Sequence, residues 1–293
     1  MDESFVKYIA AGQPDRDWGL YLTVVGYARI PPSIVYPPRE HPSGYFFTWE
    51  KGRVLQEYQI NYITEGSGSI ETADGQFAVG PGSILILRPG VWHRYRPDIE
   101  KGWNEHYIGF NGDFCSSLLS EGFFQAAKPV IYVGFQESLL SLFFEVIRLI
   151  REEKSGHQQV SAGNTILMLS KILSVVRNQE FAGKEIERTI RKACLYFREN
   201  VNKPINIEKL AEELNVGYSH FRQMFRKYTG ISPTQYHLSL RIQRAKDLLV
   251  SSEKSVKEIA IELGFESYFY FSRIFKAKTG KSPQEFRKEH NPL

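Results

Sequence analysis

Two stretches in the last third of the chain repeat each other, and this repeat limits the possible folds more than any other feature. Residues 210–216, LAEELNV, align with residues 259–265, IAIELGF. Further along, five aligned positions keep separations of 4, 5, 3 and 3 residues: Phe221, Phe225, Gly230, Pro233 and Tyr236 in the first copy, and Phe271, Phe275, Gly280, Pro283 and Phe286 in the second. The second copy has one more residue in the turn. Such a repeat predicts two copies of one structural unit.

Each copy predicts a short helix, a tight turn and a second helix. Ala211 and Ala260 lie in the first helices, where a small side chain lets a partner helix approach closely. Gly264 can adopt the positive φ that a sharp turn needs, and Asn215 and Gly217 are tolerant residues in the other copy. The two phenylalanines, at i and i+4, anchor the second helix. We therefore interpret each copy as a helix-turn-helix.

The remaining face of each second helix is polar and basic. It carries Ser219, His220, Arg222, Gln223, Arg226 and Lys227 in the first copy, and Tyr268, Tyr270, Ser272, Arg273, Lys276 and Lys278 in the second. Outward side chains at the start of such a helix are placed to contact base edges in the major groove of DNA. The alternative is that both copies are ordinary helical hairpins with solvated basic faces.

The chemistry of these side chains divides their expected contacts. Arginine can bind guanine, and glutamine adenine, through two hydrogen bonds each, so the strongest base readers are Arg222, Gln223 and Arg273. Apolar or hydroxyl contacts are expected from Tyr268 and Ser272. Three lysines lie a turn or more further along and are better placed for phosphates: Lys227, Lys276 and Lys278.

The segment between the two copies, residues 233–250, has helical spacing at Leu240, Arg241, Ala245, Leu248 and Leu249. A helix of this length spans ~27 Å at 1.5 Å per residue. That is close to the ~34 Å that separates successive major-groove faces on one side of a duplex. A rigid connecting helix would let one chain occupy two adjacent grooves.

The charge of the chain is unevenly distributed. Residues 184–293 hold 21 Lys and Arg against 13 Asp and Glu, a net charge of +8, whereas the upstream residues carry −4 of the total of +4. A basic C-terminal region indicates a polyanionic partner or a well-solvated helical surface.

Upstream, residues 20–133 alternate short apolar runs with Gly, Pro and Asp-Gly, which predicts a small antiparallel barrel or sandwich with a hairpin turn at residues 72–75. Residues 135–180 predict an antiparallel helix pair, whose first apolar face consists of Leu139, Leu142, Phe143, Val146, Ile147 and Ile150. This face would either mediate dimerisation, which we favour, or cover the barrel. No secretory signal or membrane-length apolar stretch is apparent, so a cytoplasmic location is expected.

The motifs LAEELNVGYSHFRQMFRKYTGISPTQY, RIQRAKDLL and IAIELGFESYFYFSRIFKAKTGKSPQEFRKE closely resemble the AraC/XylS family of transcription factors over residues 185–290. The resemblance implies an α+β chain of two domains, with an antiparallel β cupin-like jelly roll and an all-α double helix-turn-helix. We place the sensing domain at 1–133, a helical dimerisation segment and linker at 134–183, and the DNA-binding domain at 184–293. The implied partners are double-stranded promoter DNA, a small-molecule effector, RNA polymerase and a second copy of the chain.

The N-terminal region resembles the sensing domain of that family at scattered positions, including residues 65–68, 82–90, 92–95 and 103–110. The resemblance places Tyr95, Glu105 and Tyr107 in a ligand pocket, with Lys51 or Arg53 near a ligand-binding arginine position. The arabinose-type sensors carry His and Trp where this chain has Glu105 and Tyr107. Aromatic faces, a carboxylate and a cation suit a sugar, although the same residues would also simply fill a barrel.

Two other functions compete with this interpretation. A cupin enzyme would need clustered metal ligands, whereas His41, His93 and His106 are isolated, and Cys115 and Cys194 have no metal-like spacing. We therefore expect no metal, no cofactor and no catalysis. The second alternative is a DNA-binding protein whose N-terminal half only dimerises. The sign of regulation and the effector are left open.

Overall fold

The structure is a computed structural model that describes residues 4–37, 45–119, 124, 128–181 and 184–290. The chain divides into two compact units after Gln179. The first unit is rich in antiparallel strands and the second is helical, which confirms the predicted fold class. Ala182 and Gly183, at the predicted domain boundary, and His41 lie outside the described residues. The three-part division of the chain stays a prediction.

Strands β1 to β10 comprise Ser4–Tyr8, Tyr21–Ile30, Arg53–Val54, Tyr58–Gly66, Gly68–Thr72, Gly75–Val79, Ser83–Leu87, Trp92–Pro97, Trp103–Asn111 and Val130–Tyr132. Within the described residues they form a six-stranded sheet in the order β1-β2-β9-β4-β7-β10 and a four-stranded sheet in the order β3-β8-β5-β6. Every pairing is antiparallel. Apolar side chains from both sheets, including Ile63, Ile70 and Leu85, share one core between them.

The hairpin between β5 and β6 lies where the sequence predicts it. Thr72 pairs with Gly75, and the Asp74 amide donates a hydrogen bond to Thr72 Oγ1 at 3.2 Å. Strand β7 is buried at all five positions, as expected for a strand covered on both faces.

Helices α1 to α11 comprise Gln13–Asp17, Asp113–Leu118, Glu137–Glu152, His157–Phe181, Glu185–Glu199, Ile207–Glu213, Tyr218–Thr229, Pro233–Ser251, Val256–Glu262, Tyr268–Thr279 and Pro283–His290. The apolar face predicted on α3 is buried against the barrel, where Phe143 stacks on Tyr62 with ring centroids 6.1 Å apart. The structure thus shows the alternative that we favoured less, a face that covers the barrel. A dimer interface would need other residues.

Helix α4 contains a segment, His157–Gln179, that is long and apolar enough to cross a membrane, which corrects the expectation that the chain has no such stretch. Its buried residues, including Met168, Leu169 and Ile172, belong to the core under the six-stranded sheet. The Gln158 side chain also bonds both backbone groups of Leu22, at 2.9 and 3.1 Å. These contacts are those of a core helix in a folded barrel.

The second unit has two apolar clusters, one for each copy of the repeat. Helix α5 contributes Ile190, Ala193 and Phe197 to the first cluster. Helix α8 contributes to both, because Tyr236 and Leu240 pack on the first cluster and Ala245, Leu248 and Leu249 on the second. One continuous helix therefore belongs to both cores.

Candidate functional site

The turns of both copies have the predicted geometry. Asn215 and Gly264 have φ values of 55° and 66°. In each copy the residue after the turn donates its amide to the carbonyl of the buried alanine at 3.0 Å, Val216 to Ala211 and Phe265 to Ala260. A Cβ at Gly264 would lie 2.8 Å from the Asn202 carbonyl oxygen, which explains why glycine occupies this turn. Both copies are helix-turn-helix units.

The phenylalanine anchors are fully buried. Phe221 and Phe225 on α7, and Phe271 and Phe275 on α10, are each 0% exposed. We call α7 and α10, the second helices of the two units, the recognition helices. Each ends at a glycine with left-handed φ, Gly230 or Gly280. The anchors fix which face of each recognition helix points away from its core.

On α7 the structure exposes all the residues predicted to contact DNA: Ser219, His220, Arg222, Gln223, Arg226 and Lys227. The Arg222 guanidinium lies 5.4 Å from the centre of the Tyr218 ring. This face is uniformly hydrophilic and carries no acidic side chain.

On α10 the structure exposes only part of the set predicted to contact DNA. Tyr270, Arg273, Lys276 and Lys278 are exposed. Tyr268 is instead partly buried against the second core cluster, and Ser272 is partly buried with its Oγ shielded from solvent. Ser272 occupies the helix position of Arg222, but its side chain is too short to extend past the helix surface.

Sequence reasoning missed Phe269, which is 80% exposed in the first turn of α10. The alignment of the two copies was enough to identify this residue as exposed. Phe269 aligns with Ser219, a surface position, and not with an anchor phenylalanine.

The barrel brings together four of the five predicted ligand residues. Arg53, Tyr95, Glu105 and Tyr107 line one cavity. Lys51 is exposed and does not line this cavity; its carbonyl oxygen accepts a hydrogen bond from Trp92 Nε1. Lys51 and Arg53 were alternatives in the sequence, and the structure places the arginine in the cavity.

Arg53 lies at the centre of a hydrogen-bond network. Its Nη2 donates to the Tyr95 hydroxyl at 2.8 Å, and its Nη1 to the Tyr45 carbonyl at 2.7 Å. Its Nε lies 3.2 Å from His93 Nε2. Burial, with the nearby Arg53 charge, lowers the pKa of His93 to about 4, so this ring is neutral at pH 7.

Glu105 presents an unsatisfied carboxylate oxygen inside the barrel. Its Oε1 accepts a hydrogen bond from the Tyr36 hydroxyl at 3.1 Å, but its Oε2 has no partner among the described residues. Asn61 Oδ1, also buried, is likewise unpaired there. Burial raises the pKa of Glu105 to about 7. Buried polar atoms without partners indicate a site for a polar ligand or water.

The free space at the centre of this cavity is small, about 20 Å³, enough for one or two water molecules. Aromatic rings fill the rest, and Gly26 makes room for one of them, because a Cβ there would lie 2.5 Å from the Tyr107 ring. A sugar would therefore have to displace side chains. The Tyr36 hydroxyl already donates to Glu105 the hydrogen bond that a ligand hydroxyl would donate.

Several cavity residues were not predicted, among them Tyr8, Tyr36, Tyr45, Phe47 and Gln59. Tyr36, Tyr45 and Phe47 lie outside regular secondary structure, so no periodic pattern marks them. Gln59 lies on the same face of β4 as Asn61 and Ile63, and it was detectable as a polar residue in a buried strand. Among the described residues, no three His, Cys, Asp or Glu side chains are grouped as a metal site.

A β-barrel with a polar cavity, joined in one chain to two basic helix-turn-helix units, defines a ligand-binding transcription regulator. The profile of the AraC-like ligand binding domain matches residues 25–170, and that of a helix-turn-helix domain matches residues 210–289. The chain belongs to the AraC family of transcription regulators, with a ligand-binding domain and a DNA-binding helix-turn-helix domain.

Curated relatives support this assignment over most of their length. The MmsAB operon regulatory protein of Pseudomonas aeruginosa is 27% identical over 242 residues, which cover 79% of this chain and 75% of that protein. The arabinose operon regulatory protein of Escherichia coli K12 is 26% identical over 245 residues, which cover 80% and 81%. The raffinose operon regulatory protein RafR of Pediococcus pentosaceus is 27% identical over 245 residues, which cover 83% and 88%.

Among solved structures, the C-terminal domain of AraT, a response regulator from Geobacillus stearothermophilus, is 31% identical. The match covers 34% of this chain and 84% of that chain, with a TM-score of 0.34.

Proposed function

We propose that this protein regulates transcription in response to a sugar bound in the N-terminal barrel, and that its two helix-turn-helix units bind adjacent major grooves. The observation that carries the DNA part is the pair of exposed basic recognition helices joined by α8. The sugar part is supported by the cavity chemistry of Arg53 and Glu105, and by relatives named for raffinose, arabinose and lactose operons. No catalytic step is part of the proposal.

DNA binding is tested by three alanine variants of the full chain. Arg222→Ala and Arg273→Ala should each weaken binding to a selected operator by about 5- to 150-fold and relax preference at particular base pairs, because each loses ~1–3 kcal/mol of discrimination. Lys276→Ala should weaken binding to all duplexes alike and flatten the salt dependence. Fluorescence anisotropy at several salt concentrations measures both. Equal, sequence-independent losses from all three variants would contradict the assignment.

Sugar binding is tested by thermal shift with a panel of mono-, di- and trisaccharides. A ligand that binds only the folded state must raise Tm. The shift should vanish in Arg53→Ala, which removes the central cation of the cavity. Lys51→Ala is the matched control and should keep the shift, because Lys51 is a nearby cation outside the cavity. A panel without any shift would favour a regulator that only dimerises through this half.

Binding would place a sugar hydroxyl on Glu105 in place of the Tyr36 hydroxyl. The Arg53 guanidinium would hold a second hydroxyl, and aromatic rings would stack on the C–H face of the sugar. Displacement of Tyr36 is thus the structural change that we expect the effector to cause. Promoter DNA and RNA polymerase would be the partners that read out this change, in the cytoplasm.

The protein is also proposed to form a homodimer. The α3 face that we favoured is covered by its own barrel, whereas Val160 and Leu167 on α4 remain exposed, seven residues and two helical turns apart. Leu167→Glu should shift the full chain toward monomer in sedimentation equilibrium. A wild-type protein that is monomeric at micromolar concentrations would contradict the proposal.

A further inference from the structure

Phe269 is a large apolar side chain that the second helix-turn-helix unit leaves in water. It is 80% exposed, while Phe271 and Phe275 on the same helix are fully buried. The start of α10 is fixed, because the Ser267 side chain accepts a hydrogen bond from the Tyr270 amide at 3.1 Å. Phe269 is therefore held in the first turn of a regular helix. The centre of its ring lies 5.5 Å from the centre of the Tyr268 ring.

The position of Phe269 on the helix assigns it to the DNA-facing side. Phe269, Arg273 and Lys276 stand at i, i+4 and i+7, so they form one stripe along α10. Its equivalent in the first copy is Ser219, at the exposed start of α7. When Arg273 contacts a base edge, Phe269 lies in the same groove, one turn nearer the N-terminus of the helix.

The major groove offers one apolar feature to such a ring, the C5 methyl group of thymine. Guanine and adenine present no methyl group in the major groove, and unmethylated cytosine has only a hydrogen atom at C5, so the ring would gain less apolar contact against any of them. We propose that Phe269 is a specificity-determining residue that selects thymine by packing on its methyl group. The first unit, with a serine at this position, reads its block of the operator by hydrogen bonds instead. This inference rests on the proposed DNA-binding function.

The test uses the full-length protein and duplexes selected from a randomised library by the wild-type chain. Each thymine in a selected duplex is replaced in turn by uracil, which lacks only the methyl group. At one or two positions in the block bound by the second unit, uracil should weaken binding by about 4-fold, as expected for the loss of one buried methyl group. Placing 5-methylcytosine there should bind more tightly than cytosine.

Two variants separate the role of Phe269 from general effects. Phe269→Ser copies the residue of the first unit and should lose the difference between thymine and uracil, while the salt dependence of binding and Tm stay as in the wild type. Ile261→Ala changes another exposed apolar residue of the same unit, on α9, and should keep the difference. Equal affinity for thymine and uracil at every position, or a Phe269→Ser variant that still discriminates, overturns the inference alone. A wild-type chain without salt-sensitive binding to any duplex overturns the proposed function and this inference with it.

Discussion

Replacing Phe225 by alanine should lower the free energy of unfolding of the helical unit by about 3–5 kcal/mol. Phe225 is fully buried, and its ring centre lies 5.7 Å from that of Phe197 on α5 and 5.5 Å from those of Phe221 and Tyr236. The substitution therefore opens a cavity where three helices meet. Urea denaturation of the full chain, with hydrogen exchange to locate the loss, measures the effect.

The repeat supplies a second variant for this prediction. Phe275→Ala should cost a similar amount, because Phe275 has the same burial and helix position in the other copy. Gln223→Ala, at an exposed site on α7, should change stability by less than about 0.5 kcal/mol. A loss below about 1 kcal/mol in Phe225→Ala would mean that the ring does not anchor the recognition helix.

Glu105→Gln should stabilise the ligand-free protein at pH 8 by up to about 3 kcal/mol. Burial raises the pKa of Glu105 from 4.5 to about 7, so between these values the folded state binds a proton that the unfolded state does not. The contribution of Glu105 to stability therefore falls by about 1.4 kcal/mol for each pH unit between 4.5 and 7. Glutamine has no proton to lose and keeps an oxygen that can accept the Tyr36 hydroxyl hydrogen bond.

The measurement is the difference in unfolding free energy between variant and wild type from pH 4 to 8. His93 and His106 act with the opposite sign, because burial lowers the pKa of each to about 4 and stability then rises with pH up to 6.5. Their contributions cancel in the difference. The two proteins should be equally stable near pH 4, and a difference that is constant with pH would contradict the buried carboxylate.

The helical unit was predictable because its fold follows from short sequence patterns, and each pattern is present in both copies of the repeat. Buried alanines, phenylalanines at i and i+4, and turn residues that tolerate positive φ each follow from short-range geometry, and the structure shows the same pattern at both turns. On α10 the sequence predicted an exposed face that included Tyr268 and Ser272, whereas both residues are partly buried. The alignment of the two copies pairs Phe269 with Ser219 and Ser272 with Arg222, and so gives the position of each residue on the helix. It does not give how far each side chain extends from the helix.

The cavity was predictable only where the family resemblance reached. Arg53, Tyr95, Glu105 and Tyr107 came from that resemblance, whereas Tyr36 depends on a connection between β2 and β3 whose path no periodic pattern specifies. The apolar stripe on α3 shows a second limit. A helix that covers its own barrel and one that meets a partner have the same spacing of apolar residues, and only the packing distinguishes them.

Helix α8 belongs to both apolar clusters of the DNA-binding unit, so neither helix-turn-helix can rotate about it without disrupting a core. One residue inserted in this helix would turn one unit by about 100° relative to the other. The same constraint applies to the operator. In the proposed binding to two adjacent major grooves, about five extra base pairs between the two blocks would place them on opposite faces of the duplex, and a single chain could then engage only one.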